Sequence, residues 1–176
     1  SLVAGSKAPD DYVISKDAFS KPEPYGIMLR KDDPAFKKVV DAATAALYTG
    51  GDTFGISSNC TTCFINQPNI ADQVEAAGKS WKAYMESMPS PCFVGDAAPL
   101  YKQKHNPFIY YDDVRTNAAR CNKIVPFTQF ATDMQTNAVP NFVWITPNMC
   151  NDMHDCPVSA GDTWLKTWAP TILQSP

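Results

Sequence analysis

The run Pro140-Asn141-Phe142-Val143-Trp144-Ile145 narrows the choice of fold more than any other stretch of this chain. It is apolar on consecutive positions, too short for a core helix, and closed by prolines at 140 and 147, so it reads as a buried strand. The segment after it is polar. Between Cys150 and Cys156 the chain places Asp152, His154 and Asp155. A polar cluster at the C-terminal end of a buried strand is where open α/β sheets put their chemistry. The competing reading is an Asx-rich loop stapled by a disulfide.

The rest of the second half alternates in the same way. Asn69 is placed to cap a short helix over 70–77, with Gly78 at the position where a helix-ending glycine belongs. Residues 80–85 alternate large apolar with polar or small groups and read as a strand. Residues 108–111, Phe-Ile-Tyr-Tyr, read as an extended run ending at Asp112 and Asp113. Val125-Pro126 is expected to open a helix that carries Phe127, Phe130, Ala131 and Met134. Asp162 is expected to cap a last helix with Leu165, Trp168 and Ile172 on one face, kinked or shortened at Pro170. Strands and helices in turn predict an α/β fold with a largely parallel sheet flanked by helices. Trp81, Tyr84, Trp144, Trp164 and Trp168 are assigned to its core.

Residues 1–50 have another character. Two strand candidates, 12–14 and 26–30, precede a helix that starts at Asp33-Pro34 and buries Phe36, Val39, Val40, Ala43 and Leu47. Gly50-Gly51 ends it and forms a natural seam. The expected organisation is a strand–strand–helix appendage, 1–50, and an α/β region, 51–176.

All six cysteines lie beyond residue 59. An even set at short spacing suits an exported, disulfide-bonded protein, with local pairing Cys60–Cys63, Cys92–Cys121 and Cys150–Cys156. Cys60-Thr-Thr-Cys63 is also the spacing of a redox pair or of half a zinc site, but there is no second such motif and only two histidines. Net charge is −3 with no basic block, which argues against nucleic acid as a partner. No apolar run approaches the roughly 20 residues of a membrane helix. The first six residues lack the charged start and apolar centre of a signal peptide, so any such signal is expected to be absent from these 176 residues.

Two resemblances sharpen this reading. The segments Asn59-Cys60-Thr61-Thr62-Cys63, Ser80-Trp81-Lys82-Ala83-Tyr84-Met85-Glu86-Ser87-Met88-Pro89, His105-Asn106-Pro107, Asn141-Phe142-Val143-Trp144-Ile145-Thr146-Pro147-Asn148 and Asn151-Asp152-Met153-His154-Asp155-Cys156 resemble bacterial exported phosphoesterases. These are the acid phosphatase/phospholipase C-type branch of the alkaline phosphatase superfamily, and the likeness covers about 51–175. Separately, Pro24-Tyr25-Gly26-Ile27-Met28-Leu29-Arg30-Lys31-Asp32-Asp33-Pro34 resembles a late segment of periplasmic glutamate/aspartate-binding proteins, over about 3–46. The pair implies a chimera joined at the Gly50-Gly51 seam, periplasmic or secreted, whose α/β region is a partial alkaline-phosphatase-like sheet.

The first resemblance implies metal-dependent hydrolysis of a phosphate ester, with a divalent ion as Lewis acid and a hydroxyl nucleophile. It places Asp152 and His154 at a metal, and His154, His105 and Asn106 at the transferring phosphoryl group. The family's upstream Glu-Asn pair, its nucleophile loop and its downstream acidic strand have no match here, which implies incomplete catalytic machinery. Thr53, Ser57, Ser58, Thr61 and Thr62 are the hydroxyls on offer, and Asp112 and Asp113 are candidates to replace a missing metal pair. Two further readings stand beside this one: a catalytically silent binding or structural remnant, and a hydrolase of another ester. A shortened parallel sheet would leave an open edge, to be covered by the N-terminal unit or by a second copy of the chain.

Overall fold

A computed structural model describes residues 60–173. The N-terminal strands, the helix at Asp33-Pro34, the Gly50-Gly51 seam, and Thr53, Ser57 and Ser58 lie outside the described residues.

Helix α1, Ile70–Ala76, begins at a reciprocal capping box: Ala71 N donates to Asn69 Oδ1 and Asn69 N donates to Asp72 Oδ2. It ends at Gly78, whose φ of +69° is the left-handed conformation that stops a helix. Strand β1, Trp81–Met85, comes next. After a loop the chain makes two 3-10 turns, Gln103–His105 and Pro107–Tyr110. Two one-turn helices follow, α2 (Asp112–Arg115) and α3 (Ala118–Cys121). Strand β2 is Ile124–Pro126, helix α4 Thr128–Gln135, strand β3 Phe142–Thr146 and helix α5 Val158–Leu173.

The three strands form one parallel sheet in the order β2-β1-β3. Ala83 sits opposite Ile124 on one side and Trp144 on the other. The alternation along β1 explains the two layers. Trp81, Ala83 and Met85 face one cluster, with Val74, Phe108, Ile109 and Val114. Tyr84 faces the other, with Val125, Phe127 and Phe130, against which Trp164 and Trp168 pack. A central parallel strand covered on both faces buries alternate residues in two different cores, so Tyr84 is as deeply buried as Ala83.

The α/β class, the parallel sheet, α1, β1 and β3 agree with the sequence reading. Several local expectations do not. Residues 108–111 are not extended: Pro107 fixes the φ of a first turn and the segment closes as a 3-10 turn, leaving one parallel bridge between Ile65 and Tyr111. Asp112 and Asp113 therefore end no strand. They open α2, where acidic groups suit a helix start, and they pair with Arg115 and Arg120 respectively. Val125-Pro126 opens no helix either. It belongs to β2, since β1 offers it a pairing partner, and α4 starts only at Thr128. Asp162 lies inside α5 and is bound to Lys166 one turn on. Helix α5 runs through Pro170, which falls in its last turn and removes one bond, the one that Lys166 O would accept.

All three expected disulfides form, Cys60–Cys63, Cys92–Cys121 and Cys150–Cys156. Their closure rules out a free-thiol zinc site at Cys60 and Cys63.

Candidate functional site

The parallel sheet points β1 and β3 the same way, so the segments leaving them, from Glu86 and from Thr146, start side by side. Glu86 N donates to Thr146 O (2.9 Å), which extends the pairing one step past the strands. The loop after β3 is built on Asn148. Its Oδ1 accepts from the backbone N–H groups of Cys150 and Asn151 (3.0 Å each), and its carbonyl accepts from Asp152 N (2.8 Å). Asp152 Oδ1 then accepts from His154 N (2.8 Å), an Asx turn that fixes the two residues relative to each other. Met153 takes a positive φ of 70° at the tip.

This loop meets the first 3-10 turn. Asp152 Oδ2 faces His105 Nδ1 at 2.8 Å, and the rings of His105 and His154 lie 5.7 Å apart. The pairing sets the imidazole against a buried carboxylate oxygen. Burial pushes the His105 imidazole below its ordinary pKa. Asp152 pulls it back, while Lys104 and His154 add to the depression. His154 is half exposed. Its Nδ1 is 2.7 Å from Asp155 Oδ1, and its Nε2 is 3.3 Å from Lys104 Nζ. An ammonium has only protons to give, so Nε2 is the acceptor and Nδ1 carries the proton shared with Asp155.

Asn106 is fully buried. Its Nδ2 donates to Tyr101 Oη (3.0 Å) and its Oδ1 has no partner among the described residues. Thr61 lines a cavity of about 50 Å³ with Asp96, Lys102, Lys104 and Tyr110. Thr62 Oγ1 contacts Cys60 Sγ (3.6 Å). Among the described residues, neither hydroxyl is paired with a general base in the manner of an activated nucleophile.

The structure thus brings together His105, Asp152 and His154, and adds two residues that the pattern of the sequence did not single out. Lys104 sits against His154. Glu86 accepts hydrogen bonds from the site loop itself. The available signal was position: Glu86 directly follows β1, at the same sheet end as the Asp152 loop.

As for a metal ion, the described residues contain no group of three or more His, Cys, Asp or Glu side chains able to hold one. The donors present also point elsewhere. Asp152 Oδ1 is held by its own turn, both nitrogens of His154 are engaged, and the ammonium at Nε2 would oppose a second cation there. Asp112 and Asp113 are bound by arginines. The described residues do not fit a metal ion by themselves. Lys104 instead gives the corner beside His105 and His154 a positive charge, which suits an anion.

Residues 15–176 match the Phosphoesterase family. The chain belongs to that family. Several of its relatives are phosphatases by name. An acid phosphatase of Aspergillus fumigatus is 34% identical over 134 residues, 72% of this chain and 30% of that protein. A phosphatidylinositol-3-phosphatase of Mycobacterium tuberculosis is 30% identical over 131 residues, 69% of this chain and 42% of that protein. This phosphoesterase chain therefore spans about a third of the length of the curated acid phosphatases it matches. A shorter likeness runs to an L-glutamate/L-aspartate-binding protein of Pseudomonas aeruginosa, 48% identical over 50 residues, 28% of the chain and 16% of that protein. No solved structure matches.

Proposed function

We propose that this phosphoesterase-family chain recognises the phosphoryl group of a small phosphate ester and takes part in its hydrolysis. One observation carries the reading: Lys104, His105 and His154 converge beside buried Asp152 at the sheet end where the β1 and β3 loops meet. Lys104 supplies the fixed positive charge. An imidazole that takes up a second proton supplies an N–H donor to a phosphoryl oxygen, and such a group stabilises the charge that builds up during transfer. His105, held by Asp152, is the candidate proton donor to the leaving oxygen. Asn106 shapes the floor through Tyr101. Asp152 and His154 would hold a metal ion only with further ligands beside them.

A second reading is binding without turnover. It is favoured by the lack of a three-ligand acidic or histidine group among the described residues. One assay separates the readings. The full chain is tested on an aryl phosphate and on an aryl carboxylic ester, with and without EDTA, alongside a titration with inorganic phosphate. Hydrolysis of the phosphate ester that His154→Ala abolishes supports hydrolysis, and EDTA sensitivity would add a metal. Phosphate binding without ester cleavage supports the silent reading. Cleavage of the carboxylic ester alone, with no phosphate binding, overturns both. Lys104→Met should weaken phosphate binding by about tenfold at low salt, on the scale of one charge-assisted contact.

The three disulfides fit an oxidising, extracytoplasmic compartment. Among the described residues no helix is long and apolar enough to cross a membrane. The division at 50/51 is retained as a proposal for the origin of the chain, with the family match reaching back to residue 15 across it. Pairing of two copies along an open sheet edge is likewise a proposal, read directly by sedimentation.

A further inference from the structure

Glu86 is where three parts of the molecule are joined. Its Oε2 accepts from Asn148 N (2.8 Å) and Asn151 Nδ2 (3.0 Å), and its Oε1 accepts from the same Nδ2 (3.0 Å) and from Trp164 Nε1 (3.1 Å). One carboxylate on the end of β1 therefore grips the loop after β3 and helix α5 together. From there the bonds run on without a break. Asn148 holds Cys150, Asn151 and Asp152, and Asp152 holds the His154 amide and faces His105. The loop carries no helix or strand of its own, so Asp152 is placed by the turn that starts at Asn148 and by what anchors Asn148.

The charge of Glu86 makes this arrangement informative. Glu86 lines a small cavity together with His105, Lys102 and Asn148. A carboxylate so placed repels an anion bound at the histidines. A site shaped for anion affinity alone would do better with a neutral group. What a carboxylate offers, and glutamine does not, is acceptance of N–H groups at both oxygens with no donor turned towards them.

We infer that Glu86 is a positioning residue of the phosphate site: it sets the 148–152 loop so that Asp152 meets His105 and His154 meets Lys104. The inference rests on the anion-site reading above. It predicts a sign. If Glu86 acted through its charge, Glu86→Gln would tighten phosphate binding. As a positioning residue it weakens binding, since the amide turns one N–H₂ against Asn151 Nδ2 or Trp164 Nε1 and displaces the loop.

The experiment titrates the full chain, wild type, Glu86→Gln and Trp164→Phe, with inorganic phosphate at fixed pH and ionic strength. NMR follows the histidine ring signals and the exchange of the Asp152 and His154 amides. Glu86→Gln should raise the phosphate dissociation constant about tenfold, since misplacement by a fraction of an ångström up to 1 Å costs on that scale or more. It should speed exchange of both amides by a similar factor. Trp164→Phe, which removes one contact, should give a smaller change in the same direction. A folded Glu86→Gln that binds phosphate as tightly as wild type or more so, with both amides unchanged, overturns the inference. If wild type binds no phosphate, the anion reading falls, and the amides decide the positioning role: faster exchange supports it and unchanged exchange ends it. Should Glu86→Gln fail to fold, Trp164→Phe carries the test on the same amides, with loosening in favour and none against.

Discussion

Removing disulfides one at a time should separate the stability of this fold from the order of its site. In the chain-entropy description, a cross-link stabilises by restricting the unfolded chain, and more so for a longer loop. The separations are 29 residues for Cys92–Cys121, 6 for Cys150–Cys156 and 3 for Cys60–Cys63. They correspond to about 3.6, 2.2 and 1.6 kcal/mol at 25 °C. Cys121 is fully buried, so the paired change Cys92→Ala/Cys121→Ala adds a packing loss on the order of 1 kcal/mol. With a urea slope of about 1.5 kcal/mol/M, the midpoint should fall by about 3 M for that pair and about 1.5 M for Cys150→Ala/Cys156→Ala. Phosphate affinity should rank the other way. Cys150 and Cys156 bracket Asp152 and His154, so opening that ring should weaken binding by about tenfold. Opening Cys92–Cys121 should leave it within about twofold while the protein is folded. Cys92 N still donates to Ile124 O (2.9 Å), and buried Gln103 still pins the Lys104–His105 turn between Gly95 N and Thr61 O. Urea unfolding followed by tryptophan fluorescence, with a phosphate titration of each variant, reads both rankings. Equal midpoint losses would refute the loop-length argument. A larger binding loss for the 92–121 variant would refute the claim that the 150–156 ring organises the site.

Acid should weaken the fold through Glu75. Burial opposes its ionisation, but Lys123, the Trp81 indole and Arg120 overcome this and hold its pKa down to about 2 from 4.5. The stabilisation is therefore complete above 4.5 and is lost as pH falls from 4.5 towards 2. A shift of this size corresponds to about 3 kcal/mol, and solvent screening reduces it to about 1 kcal/mol. Glu75→Gln should accordingly flatten the drop in melting temperature between those pH values, and an unchanged slope would count against the pairing. Gly161→Ala should act on the site more than on the fold. A Cβ there would come within 2.6 Å of Met153 Cγ and 3.1 Å of Asn151 O. The gain in helix propensity, about 1 kcal/mol, offsets much of that clash, while displacement of the 151–153 turn should lower phosphate affinity several-fold. Thermal denaturation and phosphate titration check the two halves.

The parts of the fold that the sequence showed are those where one local rule acts alone. The 142–145 run, the capped α1 and the alternation of β1 each depend on a period or a cap, and each came out within a residue or so of its expected place. The errors arose where two rules conflict in a short space. Phe108-Ile109-Tyr110 has strand composition, but Pro107 ahead of it and burial within the first core favour a tight turn. Val125-Pro126 has a helix-start signature, but a neighbouring strand was available to claim it, and pairing across the sheet is invisible in a window of a few residues. Asp162 looked like a cap because aspartate favours helix ends. Its i+4 neighbour Lys166 gives it an equally good place inside one.

The site divides along the same line, and the division bears on what Glu86 does. Asp152 and His154 are legible because a turn two residues long joins them. His105 reaches them across 47 positions, and Glu86 meets Asn151 across 65 and Trp164 across 78. Contacts at such separations leave no trace in spacing. They follow from topology: a parallel sheet delivers the ends of β1 and β3 to the same edge, so a side chain one step past β1 lies beside the loop that follows β3. The same topology has a converse. In a parallel sheet the residue just past one strand is the nearest rigid support for a functional loop on the next. A polar residue there, in the position of Glu86, holds that loop at a precision the loop could not reach alone. The best-ordered part of the site should therefore be the stretch from Asn148 to Asp152, gripped from β1. The half-exposed His154–Asp155 tip has no contact with β1, and it is the part expected to adjust to the phosphate.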